Sequence, residues 1–251
     1  YAMTAGRGGT ATTFNYNYEA LSINPANLGW EKNQTLSLGA MVYGISIQSE
    51  ALNLGKLWKA LLKPSDEFAE SEKEIFKELF VTNNGLNLTT NTHWLSASFQ
   101  RKKIGGFAVS LSDKKLAHVG LSDNFSDIIF SGSESYVFQD SVLVAQKISD
   151  VFADTRIGYT HYRVLNISYG RELLSIGGRD KKSLKLYAGL GLKRIWGLGL
   201  LEYNTSGSEF TMVSSFSDNY DINYGTLNHL DPSSLSGLFD ATGRGYGLDF
   251  G

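Results

Sequence analysis

The sequence predicts an all-β fold, and three observations support that prediction. Several segments alternate apolar residues with small or polar ones at the period of two that a β-strand requires. The chain has 27 glycines, 14 phenylalanines, 13 tyrosines and 3 prolines in 251 residues, a composition that favours strands and turns over a helical bundle. The one long helical pattern interrupts this series of strands. We expect a single domain over residues 1–251, without a linker or an internal repeat.

The clearest alternation is the stretch LKLYAGLGL at residues 184–192. Every second residue from Leu184 onward is apolar, whereas the residues between them are lysine, tyrosine or glycine. A predicted hairpin follows the same rule, with strands over 95–100 and 107–112 on either side of a charged turn at 101–105. In each of these strands an apolar face opposes a face of small, mostly polar residues.

The composition of the second face separates two kinds of β-protein. A soluble sheet usually turns long charged or polar side chains toward water, but here the second face is mainly serine, glycine and alanine. Small residues fit the crowded interior of a barrel, and the apolar face then meets lipid. The sequence therefore predicts an antiparallel transmembrane β-barrel. A soluble sandwich or barrel that binds a ligand inside is the alternative.

Four further strands are predicted, over residues 35–48, 156–171, 209–217 and 242–251. In the first of them the apolar residues change parity along the strand, which predicts a β-bulge near Gly44. In the last, Asp249 alternates with aromatic residues. That pattern is typical of a strand between an aqueous lumen and an aromatic belt.

One long segment is predicted to be an inserted helical hairpin, over residues 54–82. Pro64 ends its first helix, and Ser65 is a suitable N-cap for the second. Its apolar face is expected to contact a ligand or a partner through four aromatic residues, Trp58, Phe68, Phe76 and Phe80. A packed surface excursion without such a role is the simpler interpretation. Shorter helical pieces are expected at 122–130 and 139–152.

No catalytic constellation is recognisable, so the chain is not expected to be an enzyme, and no cofactor or metal is expected. The 4 histidines are scattered and the chain has no cysteine. The stretch NYDINYG at 219–225 spaces oxygen ligands like a calcium loop, but its glycine comes one residue late and Leu230 stands where the last ligand belongs. A net charge of −2 gives no general attraction to nucleic acid.

The N-terminal segment GRGGTATTFNYNYEALSINPANLGW, at residues 6–30, resembles the start of the FadL-like outer-membrane barrels, the family of the long-chain fatty-acid transporter. The similarity is carried by small residues followed by an Asn-Pro-Ala motif, namely Gly6, Gly8, Gly9, Ala11, Asn24, Pro25, Ala26 and Leu28. In that family the segment folds inside the barrel. The resemblance therefore implies an N-terminal plug over residues 1–30, formed around Gly8, Gly9, Asn24, Pro25, Ala26 and Asn27.

The resemblance also implies a location in the bacterial outer membrane and the passage or binding of a small hydrophobic compound. The alternative is a non-conducting accessory subunit of a larger outer-membrane secretion or uptake complex, which would dock through the helical hairpin. The expected partners are outer-membrane lipid, a hydrophobic ligand and, for the alternative, proteins of an envelope complex. The hairpin departs from the family's pattern. A full barrel of this family has more strands than we count here, so we expect the chain to be part of a longer protein.

Overall fold

In the structure, a computed structural model, the described residues form a seven-stranded antiparallel β-sheet. It describes residues 15, 17–30, 36–49, 55, 74, 77–81, 85–102, 104–139, 151–177, 184–206, 209–216 and 241–251. The strands are β1 (Leu36–Gln48), β2 (Leu86–Arg101), β3 (Gly105–Gly120), β4 (Arg156–Ile176), β5 (Leu184–Ser206), β6 (Glu209–Phe216) and β7 (Gly243–Phe250). Strands β1 to β6 pair in chain order, and β7 also pairs with β5. The all-β prediction is confirmed.

Strands β6 and β7 lie end to end along the same edge of β5. Phe216, the last residue of β6, is opposite Gly199, and Gly243, the first residue of β7, is opposite Gly197. Both strands run antiparallel to β5. Together they cover the edge of β5 as one long strand would, because the end of β6 and the start of β7 lie at the same level of the sheet.

The predicted strands are all present, but the β-bulge predicted near Gly44 is wrong, because β1 keeps its register on β2 through that position. The parity of β1 changes at Met41, which has a positive φ of 50°. The facing strand is irregular at the same level, because the register of β2 on β3 shifts between His93 and Leu95. The distortion therefore involves two neighbouring strands, and sequence alternation in β1 alone could not locate it.

The two faces of the sheet differ in composition in the way the alternation predicts. One face, here called the outer face, exposes large apolar side chains, among them Leu38 at 70% and Phe250 at 76%. The opposite inner face buries small and polar ones, namely Ser96, Ser98, Ser110, Asn166 and Ser168. This is the reverse of a sheet in a water-soluble protein, which buries its apolar face and exposes its polar one.

Short helices gather at the end of the sheet where β3 ends and β4 begins. They are α1 (Asp123–Ser131), α2 (Tyr136–Gln139) and a helical turn at 77–80. The helix predicted over 122–130 is confirmed, and the Ser122 hydroxyl caps it by accepting the Phe125 N–H at 3.1 Å. The residues 77–81, 121–139 and 151–155 are called the end cap below. No helix of the described residues is long and apolar enough to cross a membrane.

Much of the predicted helical hairpin falls outside the described residues. Residues 77–80 of the 54–82 segment are helical, as expected. Trp58, Phe68 and Phe76 lie outside the described residues, and so does most of the piece predicted over 139–152.

Asp127 holds the end cap together. Its carboxylate accepts hydrogen bonds from the Lys77 ammonium at 2.8 Å, the Ser135 hydroxyl at 2.6 Å and the Tyr136 N–H at 2.9 Å. These donors belong to two segments, Lys77 to the 77–80 turn and Ser135 and Tyr136 to the start of α2, whereas Asp127 itself lies in α1. One buried carboxylate therefore joins the 77–80 turn, α1 and α2. Burial raises the pKa of Asp127, but the bonds from Lys77 and Ser135 outweigh it and place the pKa below its ordinary value.

The end cap is therefore expected to loosen in acid. A carboxyl group with a lowered folded-state pKa stabilises above its unfolded pKa of about 4 and loses that contribution as the pH falls through the folded pKa. The protection factors of residues 121–139, which compare each exchange rate with that of an unstructured chain at the same pH, should fall below about pH 4 in the wild type. Asp127→Asn should have low protection factors already at pH 7 and show little further change in acid. Asp123→Asn is the control in the same helix, and an acid response of Asp127→Asn equal to that of the wild type would contradict this role.

Candidate functional site

The N-terminal segment, residues 17–30, forms two short 3₁₀ helices, η1 (Tyr18–Ser22) and η2 (Pro25–Gly29). Each begins with a capping asparagine. The Asn17 side chain accepts the Glu19 N–H at 2.9 Å, and the Asn24 side chain accepts the Ala26 N–H at 3.0 Å. Pro25 suits the first position of η2, because its φ is already fixed and its missing N–H would have no partner there. The motif Asn-Pro-Ala is therefore a capped turn.

A row of glycines on the inner face receives this segment. Gly106 of β3 is opposite Gly170 of β4, and Gly170 is opposite Gly189 of β5. Gly251 continues the row, because it exchanges two backbone hydrogen bonds of 3.0 Å with Gly189. A Cβ atom at Gly106, Gly170 or Gly189 would overlap the backbone of Leu28 or Pro25. This glycine row is the surface on which η2 lies.

Two buried amide side chains bind the backbone of the N-terminal segment. Gln100 Nε2 donates to the carbonyl oxygen of Leu28 at 3.1 Å, and Asn166 Nδ2 donates to that of Leu21 at 3.0 Å. The Ser168 hydroxyl donates to the Asn166 side-chain oxygen at 3.1 Å and orients the amide. Loop carbonyls that leave water need such donors, so the polar inner face satisfies the segment that it buries.

The buried apolar cluster lies between this segment and the sheet. It consists of Ala20, Leu21 and Leu28 together with Ala108 of β3. Of the residues predicted to form a plug, Pro25, Ala26 and Asn27 are buried and Asn24 is half-buried. Gly8 and Gly9 lie outside the described residues. The motif is thus packed on the inner face, but the sequence did not show against which residues.

A cavity of about 440 Å³ opens on the inner face beside the N-terminal segment. Ile23, between η1 and η2, forms part of its wall, and strands β2 to β5 supply the rest. Two lysines line it, Lys114 of β3 and Lys193 of β5. The Lys193 ammonium lies 2.6 Å from the Asp249 carboxylate of β7, so its charge is compensated within the sheet.

The aromatic residue predicted to contact a ligand or partner from the helical segment, Phe80, lies in the end cap. It is half-buried, and its ring packs on Phe130 with 5.7 Å between the centroids. Phe80 is therefore at the opposite end of β3 from the N-terminal segment, since its carbonyl oxygen bonds to Leu121 and Leu28 lies over Gly106. Among the described residues, the structure therefore does not bring Phe80 and the predicted plug residues together.

Within the ranges that the structure describes, no cluster of three or more histidine and carboxylate side chains could hold a metal ion. The weak calcium-loop candidate at 219–225 lies outside those ranges. Comparisons of the chain with protein-family models, curated proteins and solved structures find no significant match. Function must therefore be inferred from the N-terminal segment, the glycine row and the neighbouring cavity.

Proposed function

We propose that the chain is a FadL-like outer-membrane β-barrel protein that binds or passes a small compound, with residues 17–30 as its plug. The observation that carries the proposal is the inversion of the two faces of the sheet. Large apolar side chains are exposed on the outer face, whereas serines and asparagine are buried on the inner face. Lipid is the solvent in which such an outer face is favourable, because each apolar side chain removed from water stabilises the fold.

The edges of the sheet agree with a barrel that closes through further strands. Within the described residues, β1 pairs only with β2, and the β6–β7 edge pairs only with β5. Unpaired backbone groups in hydrocarbon cost several kcal/mol each, about as much as an unsatisfied buried polar group. A membrane location therefore requires partners for both edges.

The position of the N-terminal segment supports its role as a plug. It lies on the face that a barrel would turn inward, near the end where β2 and β3 are joined by a short turn. The longer connections, between β1 and β2 and between β3 and β4, are at the opposite end with the end cap. Outer-membrane barrels place short turns on the periplasmic side and long loops outside, so the plug would be at the periplasmic end.

Loosening the plug should open the barrel. Asn166→Ala leaves the Leu21 carbonyl without its donor, and an unsatisfied buried group costs about 1–3 kcal/mol. The displaced state of the plug should become about 5–150-fold more populated. Liposomes that contain the full-length variant should swell faster in arabinose than those with wild type.

Asn204→Ala is the matched control, because Asn204 is an exposed asparagine of β5. Equal swelling for the wild type and both variants, with all three folded, would contradict the plug.

The alternative, a non-conducting accessory subunit of an envelope complex, is favoured by one observation. The end cap exposes Ile129 at 50% and Phe138 at 54%, and exposed apolar residues often mark partner surfaces. If no variant makes liposomes permeable and the protein migrates with other proteins on native gels, this function takes precedence. If it migrates alone and the Asn166 variant swells liposomes, the alternative is wrong.

A further inference from the structure

We propose that the inner-face cavity binds a small hydrophilic organic anion, such as a hydroxylated carboxylate, and that the Lys114 ammonium is its charge partner. The inference rests on the proposed function only in placing the cavity on a transport route. It narrows the ligand class, because it replaces the hydrophobic compound that the family resemblance implies with a polar, charged one.

Two lysines line the cavity, and they differ in whether a carboxylate lies beside them. Lys193 is neutralised by Asp249 at 2.6 Å. Lys114 lies opposite Asn91 on one side and Tyr162 on the other, and neither neighbour carries a negative charge. Within the described ranges Lys114 forms no ion pair. Among the described residues that line the cavity, Lys114 is therefore the cation without a carboxylate partner, and an anion would pair with it.

Most of the residues that line the cavity are polar. Strands β2, β3 and β4 turn six hydrogen-bonding side chains toward the cavity, from Asn91, His93, Ser110, Ser112, Tyr162 and Asn166. Asn166 already bonds to Leu21 and Ser168. A hydrocarbon chain in this place would still cover the polar groups of Asn91, Ser112 and Tyr162 without offering them hydrogen bonds, which is unfavourable. A ligand with several hydroxyl groups could pair with them. The volume of about 440 Å³ lies in the usual range for small-molecule sites, about 300–1,000 Å³.

The N-terminal segment contributes directly to this site. Ile23 lines the cavity and lies between η1 and η2. The neighbouring Leu21 carbonyl is bound by Asn166, which also lines the cavity. The Asn166 amide has two N–H groups, and one of them is given to Leu21. A ligand that takes this N–H would compete with Leu21 for it, and binding of the anion in that position would be coupled to release of the plug.

The test uses calorimetric titration of the full-length protein in detergent with gluconate, and with sorbitol as a neutral molecule of similar size. Gluconate should bind saturably, and sorbitol should bind at least about tenfold more weakly because it lacks the charge-assisted contact. Lys114→Ala should weaken gluconate binding at least about tenfold and leave sorbitol unaffected. Lys115→Ala is the matched control, since Lys115 is the next residue of β3 and lies on the outer face, opposite His161.

Three results would overturn the inference. They are no saturable gluconate binding, equal affinities for gluconate and sorbitol, and equal losses for the Lys114 and Lys115 variants. The change in electrophoretic mobility of the same samples on heating distinguishes a failure of the anion site from a failure of the proposed function. A protein that shifts as a barrel but binds no gluconate refutes the anion site alone. A protein that binds gluconate through Lys114 but does not shift refutes the membrane barrel and leaves the site intact.

Discussion

Replacing Leu190 by arginine should lower the free energy of unfolding in a lipid bilayer by about 2–4 kcal/mol, the cost of arginine near the midplane of a membrane barrel. Leu190 is 45% exposed on the outer face of β5. The apolar run of this strand ends at Arg194, whose guanidinium lies 4.2 Å from the centre of the Tyr246 ring. Leu190 is four residues, or about 13 Å, away from that charged and aromatic boundary. That distance is about half the height of the outward-facing apolar band of a membrane barrel, which is about 25 Å.

The control for this substitution is Ile129→Arg in α1 of the end cap. Ile129 is 50% exposed, close to the exposure of Leu190. A surface substitution in water typically changes stability by no more than about 0.5 kcal/mol. Urea titrations of both variants folded in phosphatidylcholine vesicles give the two free energies. A small and equal cost at both positions would mean that the outer face does not meet lipid.

Replacing Gly170 by alanine should displace the N-terminal segment from the sheet. The new Cβ atom would overlap the Pro25 carbonyl oxygen, and it would lie 3.1 Å from the Gly29 nitrogen. Backbone atoms cannot rotate away as a side chain does, so the segment must move or the strand must bend. Overpacking of this kind costs about 1–3 kcal/mol. The state in which the N-terminal segment is displaced from the sheet should therefore be about 5–150-fold more populated.

A protease that cuts after glutamate measures this opening, because Glu19 lies in η1 and nearby bonds are covered while the segment is docked. Cleavage at Glu19 should be about 5–150-fold faster in Gly170→Ala than in the wild type. Gly158→Ala is the control in the same strand, since its nearest neighbour, the His118 Cβ, would be at 3.8 Å. If Gly170→Ala is cut no faster than Gly158→Ala, the glycine row does not hold the segment.

The strands and their faces could be predicted because alternation is a local property. In residues 184–192 each side chain's face follows from its parity, and the structure exposes Leu184, Leu186 and Leu192 while it buries Gly191. The hairpin around 101–105 and the helix after Ser122 were also recognisable from short stretches. The motif around Pro25 indicated a turn, and the structure forms one.

The candidate site could not be predicted in the same way, because it depends on register between distant strands. Gly106, Gly170 and Gly189 each look like an ordinary small residue of an inward face, and only the pairing of β3, β4 and β5 aligns them. A one-residue shift in register would have moved them to different faces. Lys114 and Lys115 are identical residues in sequence, and only the pairing of β2, β3 and β4 shows that Lys114 lines the cavity whereas Lys115 does not. Asp127 likewise gains its role from Lys77, which is 50 residues away.

The most direct test of the membrane proposal is heat-modifiability of the full-length protein, purified from membranes in detergent. A closed barrel keeps its fold in cold detergent, because all its strands are paired, and it unfolds only on boiling. We expect a compact band in the unheated sample that shifts to a different apparent mass after boiling. A protein that is soluble without detergent and runs identically before and after heating would contradict the assignment of the exposed apolar face to lipid.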